Sequence, residues 1–257
     1  MKPYPPIILV PLFFAIALGV PLGLYALLTR GRRRTMHEIE EGASARGWSY
    51  RLRRWQGNPT AFLIDGWSTQ GTRWVLTSES AGESDHGWSV RLELRFPNLA
   101  GEVDVAVWPR DGHGRGSPLR SLHASRETQA RVAGFSATAA SALNFFDEAR
   151  EMSTGVAAFD SAYQVLARPR VETPPIDAGL AERILHWPAD AIAPHSLLAL
   201  RDPFGFHVQA RLRAPANWAT VVYFTDVAGD LAQRLPTPVE AAAPPGWVDR
   251  LVARFLR

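Results

Sequence analysis

The sequence predicts an α+β protein: an N-terminal transmembrane helix followed by a cytosolic domain of mainly antiparallel strands with packed helices. Three observations carry that reading. Residues 7–28 form an apolar run of 22 residues without a charge. Residues 48–108 alternate apolar and polar side chains in short stretches, the period of half-buried strands. Between residues 35 and 235, segments of helical period begin at capping residues and end at Gly or Pro.

The apolar run IILVPLFFAIALGVPLGLYALL comes first. As a helix it reaches about 33 Å at ~1.5 Å per residue, against a hydrocarbon core of roughly 30 Å. A surface helix of a soluble domain is seldom apolar on every face for so long. Pro11 and Pro21 each remove a backbone hydrogen bond, which membrane helices tolerate, and a kink is expected near Pro21. Tyr4 and Tyr25 fall near the two ends, where amphipathic rings favour the interface. A cleaved signal peptide is the competing reading, with Lys2 as its charged start and Ala15-Ile16-Ala17 as its cleavage site. Cleavage there would leave Leu18–Leu28, a second apolar run with arginines behind it. An uncleaved anchor over residues 7–29 is therefore expected.

Arg30, Arg32, Arg33 and Arg34 follow as a basic stop-transfer flank over residues 30–34. The positive-inside rule then puts the short tail of residues 1–6 outside and the rest of the chain in the cytoplasm. These arginines are expected to set topology and rest on anionic lipid headgroups. That role accounts for every charge in the cluster without a nucleic-acid site. Net charge agrees once it is read by position. The chain holds 28 basic and 25 acidic side chains, a formal +3. Residues 1–60 hold nine basic and three acidic side chains, and the remainder 19 against 22. The lipid bilayer is thus the expected partner, and no nucleic acid is. The chain has no cysteine, which excludes disulfides, zinc ribbons, iron–sulfur clusters and thiol nucleophiles.

Residues 35–235 read as the soluble α+β domain, with a division into two sub-domains left open near residues 110–130 or 152–160. Thr35–Gly47 predicts a short helix with Thr35 as N-cap, Glu38 in capping-box spacing and Gly47 as its stop. Strands are expected at Trp48–Arg54, Ala61–Trp67, Arg73–Thr77, Trp88–Phe96 and Glu102–Trp108, joined as a meander. In WSVRLELRF, Trp88, Val90, Leu92, Leu94 and Phe96 share one face, and Arg91, Glu93 and Arg95 the other. That is the pattern of a half-solvated antiparallel strand. Asp111–Pro118 reads as a loop. Val132, Phe135, Ala139, Ala142, Phe146 and Ala149 form a helical stripe. Ala162–Ala167 predicts a strand, and Ile176 or Asp177 to about His186 a helix stopped by Pro188. Ser196–Arg201 and Phe206–Leu212 predict a hairpin around Asp202-Pro203-Phe204-Gly205, whose residues favour a tight turn. In residues 217–235 the stretch ATVVYF has strand propensity, but Asn217 as cap and Pro236 as stop favour a helix. A Pro/Ala linker over 236–245 leads to an amphipathic helix over 246–257. Trp247, Leu251 and Phe255 share its apolar side, and Arg250 and Arg254 are basic. Docking on the protein's own core and lying on the membrane surface are both open to this segment.

No catalytic constellation is legible. Six of the nine tryptophans fall in the β-rich half: Trp48, Trp55, Trp67, Trp74, Trp88 and Trp108. With Arg51, Arg53, Arg54 and Arg73 among them a base-stacking platform is conceivable, but packing in strands and core is the expected fate. Gly112-His113-Gly114-Arg115-Gly116 lacks the Lys-Ser/Thr of a phosphate loop. Glu79, Glu83, Asp85 and His86 read as a solvated turn rather than a cation site. The seven histidines, His37, His86, His113, His123, His186, His195 and His207, show no H-x₃-H or HExxH spacing. G-x-S-x-G is absent as well. No cofactor and no metal is expected, and catalytic residues are not identifiable.

The layout of an apolar N-terminal helix, an arginine stop, and a compact domain containing FDSAYQV and later SLLAL and GFHVQARL resembles uncharacterised bacterial single-pass inner-membrane proteins. That resemblance implies the inner membrane and carries no activity. The expected function is an interaction or scaffold module at the cytoplasmic face, working through a protein partner or a second copy. The alternative is a membrane-anchored, hydrolase-like enzyme whose site is assembled in space.

Overall fold

The computed structural model describes residues 17, 19–20, 30–55, 58–68, 71–84, 87–101, 104–110, 145, 148–169, 171–188, 191–193, 196–202, 205–213 and 216–235. The membrane span expected over 7–29 lies outside them, except that residues 17, 19 and 20 are helical. Also outside are the 1–6 tail, the loop at 111–118, most of the stripe from Val132 to Ala149, the 236–245 linker and the 246–257 helix. Among the described residues no helix is long and apolar enough to cross a membrane.

Nine strands among the described residues build one sheet in which every neighbouring pair is antiparallel. They are β1 (Ser49–Trp55), β2 (Asn58–Trp67), β3 (Arg73–Ser84), β4 (Gly87–Phe96), β5 (Val105–Pro109), β6 (Arg150–Met152), β7 (Tyr163–Ala167), β8 (Leu198–Asp202) and β9 (Gly205–Leu212). The order is β1-β2-β3-β4-β9-β8-β5-β7-β6. The first four strands are the expected meander. The β8–β9 hairpin then enters between β4 and β5, so the two halves of the chain share one sheet.

Four α-helices among the described residues accompany it: α1 (residues 30–45), α2 (Ala157–Ala162), α3 (Ala178–Leu185) and α4 (Trp218–Gln233). Capping chemistry places two of them where the sequence predicts. Asp177 Oδ1 accepts from Leu180 N at 2.8 Å to open α3, and Asn217 Oδ1 accepts from Thr220 N at 2.8 Å to open α4. The strand propensity of ATVVYF is overridden, because in α4 Val221, Phe224, Val227, Ala228 and Leu231 form a stripe that the core buries. Tyr223 Oη donates to Arg183 O at 2.8 Å, and Arg183 pairs with Asp230, tying α3 to α4.

All four helices pack on the same side of the sheet. Met36, Ile39 and Ala43 of α1, Phe159 of α2, Leu180 and Ile184 of α3, and Phe224 of α4 share one core with sheet residues. A single apolar row crosses all nine strands on this side: Tyr50, Ile64, Leu76, Leu94, Val208, Ala199, Val107, Val165 and Met152. Each large side chain so buried contributes roughly 1.5–3 kcal/mol. The β8–β9 turn closes with Asp202 opposite Gly205, at φ +139°. A Cβ there would lie 2.6 Å from the Phe96 carbonyl oxygen, so the hairpin can lie against β4 only with glycine at this position.

Helix α2 lies where no helix is expected, and β5 leaves the meander to lie between β8 and β7; α1 and β6 differ from expectation too. Thr35 is not an N-cap: helix α1 already runs from residue 30, and Thr35 Oγ1 donates back to Gly31 O at 3.2 Å, inside the helix. The short edge strand β6 carries no alternation that could have announced it.

Candidate functional site

The arginine cluster sits on α1. Arginine, glutamate, methionine and alanine favour helix between Arg30 and Ala45 against Gly31 and Gly42, and Arg34 Nε donates to Glu38 Oε1 at 3.1 Å across one turn. Burial begins only at Met36. Arg30, Arg32, Arg33 and Arg34 are exposed, although Arg32 lies on the same stripe as Met36, Ile39 and Ala43. The helix therefore projects past the packed domain by more than a turn, with arginines distributed around it.

Where α1 meets the sheet, three tryptophans pack together. Trp48 stands edge-on to Trp74 with ring centroids 4.8 Å apart, and Trp218 lies 5.7 Å from Trp48. Gly42 and Gly66 make room, since a Cβ at Gly42 would come within 2.3 Å of the Trp218 ring and one at Gly66 within 2.5 Å of Trp74. Arg46 covers the cluster, 5.0 Å from the Trp48 ring centroid. These three rings are packing groups. Trp67 is instead exposed at 62%. The side chains of Trp55, Trp88 and Trp108 lie outside the described residues, as do those of Glu79, Glu83, Asp85 and His86.

The side of the sheet away from the helices carries the ionisable groups. Glu93 of β4 stands two residues from Arg95 on the same face, and β9 brings His207 opposite Arg95. Arg95 Nε donates to Glu93 Oε1, and His207 Nδ1 lies 3.5 Å from the same oxygen. On the adjoining strands β3 and β2, Arg73 donates to Asp65 through Nε at 3.1 Å and Nη2 at 2.8 Å, a forked pair. Glu93 and His207 side chains are 12% exposed and Arg95 22%. The alternation in WSVRLELRF is thus correct, but the polar face expected to be half solvated is largely covered at its centre. Burial opposes ionisation of Glu93, yet His207 and Arg95 outweigh it and hold the carboxyl at about 2.

A second covered pair joins distant segments. Arg201 Nη1 donates to Asp104 Oδ2 at 3.0 Å, with side chains 1% and 4% exposed. Within α2, Asp160 gathers Ser153 Oγ at 2.6 Å, Thr154 N at 3.0 Å and Thr154 Oγ1 at 2.7 Å, closing a loop at the surface. Burial raises the carboxyl, but these donors and Arg110 prevail and hold Asp160 below the ordinary range.

Of the other histidines, His37 lies 3.2 Å from Glu41 and His186 3.4 Å from Glu182, both on exposed helix surface. His86, His113, His123 and His195 lie outside the described residues. No group of three or more His, Asp or Glu able to hold a metal ion occurs among the described residues. The cluster of Glu93, Arg95 and His207 escaped the sequence reading because its members are 112 to 114 residues apart or sit among ordinary strand charges. Its only signal is the alternation in two strands, which assigns all three to polar faces. Comparison with protein families, curated proteins and solved structures finds no match to this chain.

Proposed function

We propose that the chain is a single-pass inner-membrane protein whose α+β domain serves as an interaction or scaffold module at the cytoplasmic face. The observation that carries this reading is α1. It emerges beside a 22-residue uncharged run, bears Arg30, Arg32, Arg33 and Arg34 on exposed helix, and continues unbroken into the domain core. Charge at that point suits anionic headgroups and sets topology. The ionisable groups on the sheet's other side are engaged with one another, which suits a structural platform. Paired C-terminal fusions test the reading: an export-dependent phosphatase should be silent and a fluorescent protein bright. The reverse pattern removes the cytoplasmic assignment. In-cell crosslinking should capture a partner protein or a second copy.

A membrane-anchored hydrolase is the second reading, favoured by His207 beside an ionised Glu93. Labelling by a fluorophosphonate probe in the native chain, lost in H207A, would support it. Absence of labelling leaves the scaffold reading.

A further inference from the structure

Resting on the membrane-anchor reading, we infer that the domain makes a second contact with anionic lipid through the end of the sheet where β1 finishes, led by Arg53 and extending along one cross-strand row to Arg91 and Arg211. The direction of the chain sets the height of this row. Trp48 N donates to Ala43 O at 2.9 Å, so β1 begins at the level where α1 ends. Tyr50 Oη reaches Met36 Sδ at 3.8 Å, so β1 then climbs back alongside the helix. From Ala43 to Arg32 the helix rises about 16 Å at ~1.5 Å per residue. From Trp48 to Arg53 the strand rises about 16 Å at ~3.3 Å per residue. Arg53 therefore stands level with the arginines of α1.

The sheet carries that level sideways. Arg53 pairs with Ala61, the β2–β3 register leads on to position 79, Glu79 pairs with Arg91, and Arg91 pairs with Arg211. Arg53 and Arg211 are exposed and Arg91 half-buried, and Arg213 adds an exposed charge just past β9. Long guanidinium side chains can reach from such a row to phosphates while their stems stay on the protein. Twist of roughly 20–25° per strand moves β9 away from the height of β1, so contact should weaken from Arg53 to Arg211. A nucleic acid has no such claim on this end, because the row is brief and includes Glu79. A lipid surface fits because the helix arginines already fix its plane.

The chain has no cysteine, so single-cysteine variants carry a spin label without other changes. Full-length R53C, R211C and W67C are placed in phosphatidylglycerol-containing vesicles with a nickel-chelating headgroup lipid. Trp67 ends β2 at the other end of the strands, near where β1 begins, and serves as reference. Relaxation of the label by nickel should be several-fold stronger at 53 than at 67, intermediate at 211, and reduced at 53 in purely zwitterionic vesicles. Equal relaxation at 53 and 67 overturns the inference while leaving the anchor intact. Failure of the native chain to float with vesicles would instead overturn the anchor itself, and this inference with it. R53Q/R211Q, which keeps hydrogen-bonding side chains, should lose the lipid dependence measured at a label on position 91. Unchanged dependence also counts against the contact.

Discussion

The two faces of the sheet are made by adjacent residues and obey different rules. On the helix side, the row from Tyr50 to Met152 is apolar on all nine strands. One residue along, the row on the other side reads Ser49, Asp65, Val75, Arg95, His207, Leu200, Ala106, Leu166 and Glu151. Asp65, Arg95, His207 and Glu151 in it are ionisable, yet Val75, Leu200 and Ala106 within it are fully buried. Packing holds the first face and is indifferent to pH. Paired charges hold the middle of the second, and their worth depends on protonation. Alternation separates the faces but does not say which is wet.

That contrast can be broken most sharply on the helix side. Phe224 is fully buried and meets the Trp187 ring edge-on at 6.0 Å. Phe224→Ala should cost about 3–5 kcal/mol by transfer loss plus cavity, read from denaturant midpoints of the full chain. A loss below a third of that would mean the core is not shared as described. On the other face, Glu93→Gln removes the negative charge shared by Arg95 and His207. It should cost about 1.5–3 kcal/mol near neutral pH, the scale of hydrogen bonds to charged groups.

The pH dependence of the two variants should differ. Because folding depresses the Glu93 carboxyl from 4.5 to about 2, its stabilisation is complete above 4.5 and lost as pH falls toward 2. The native chain should therefore weaken over that window, Phe224→Ala should weaken in parallel, and Glu93→Gln should show a shallower decline. Identical slopes would remove Glu93 from the account. The smallest effect belongs to α1 outside both faces. Glu38→Gln breaks an exposed pair with Arg34 and should shift stability by no more than about 0.5 kcal/mol.

Much of the local architecture was legible in particular residues. Asn217 declared its helix because a short polar side chain satisfies the first free amides, and the helix expected from Ile176 or Asp177 opens on a capping Asp177. Asp202-Pro203-Phe204-Gly205 declared the hairpin because its final glycine reaches a backbone conformation closed to other residues. WSVRLELRF declared its two faces. Long-range pairing was illegible: nothing near Asp104 points to Arg201, 97 residues away. The same holds for His207 beside Glu93, since strand order decides which polar faces become neighbours. Thr35 misled because a capping box describes a helix start only when no helix precedes it, and α1 begins earlier.

The place of the β8–β9 hairpin has a consequence for how the protein is made. Strands β4 and β5 are neighbours in the chain, but the sheet parts them to admit residues 198–212. While the ribosome is still short of that point, β4 has no partner on one side and β5 none toward β4. Two unpaired edges must wait through about a hundred residues of elongation, several seconds at roughly 5–20 residues per second. Emerging chains are open to edge-to-edge association over that interval. The arginine and glutamate side chains that alternate along β4 keep that waiting edge charged, and so guard the nascent chain before they ever serve the finished sheet.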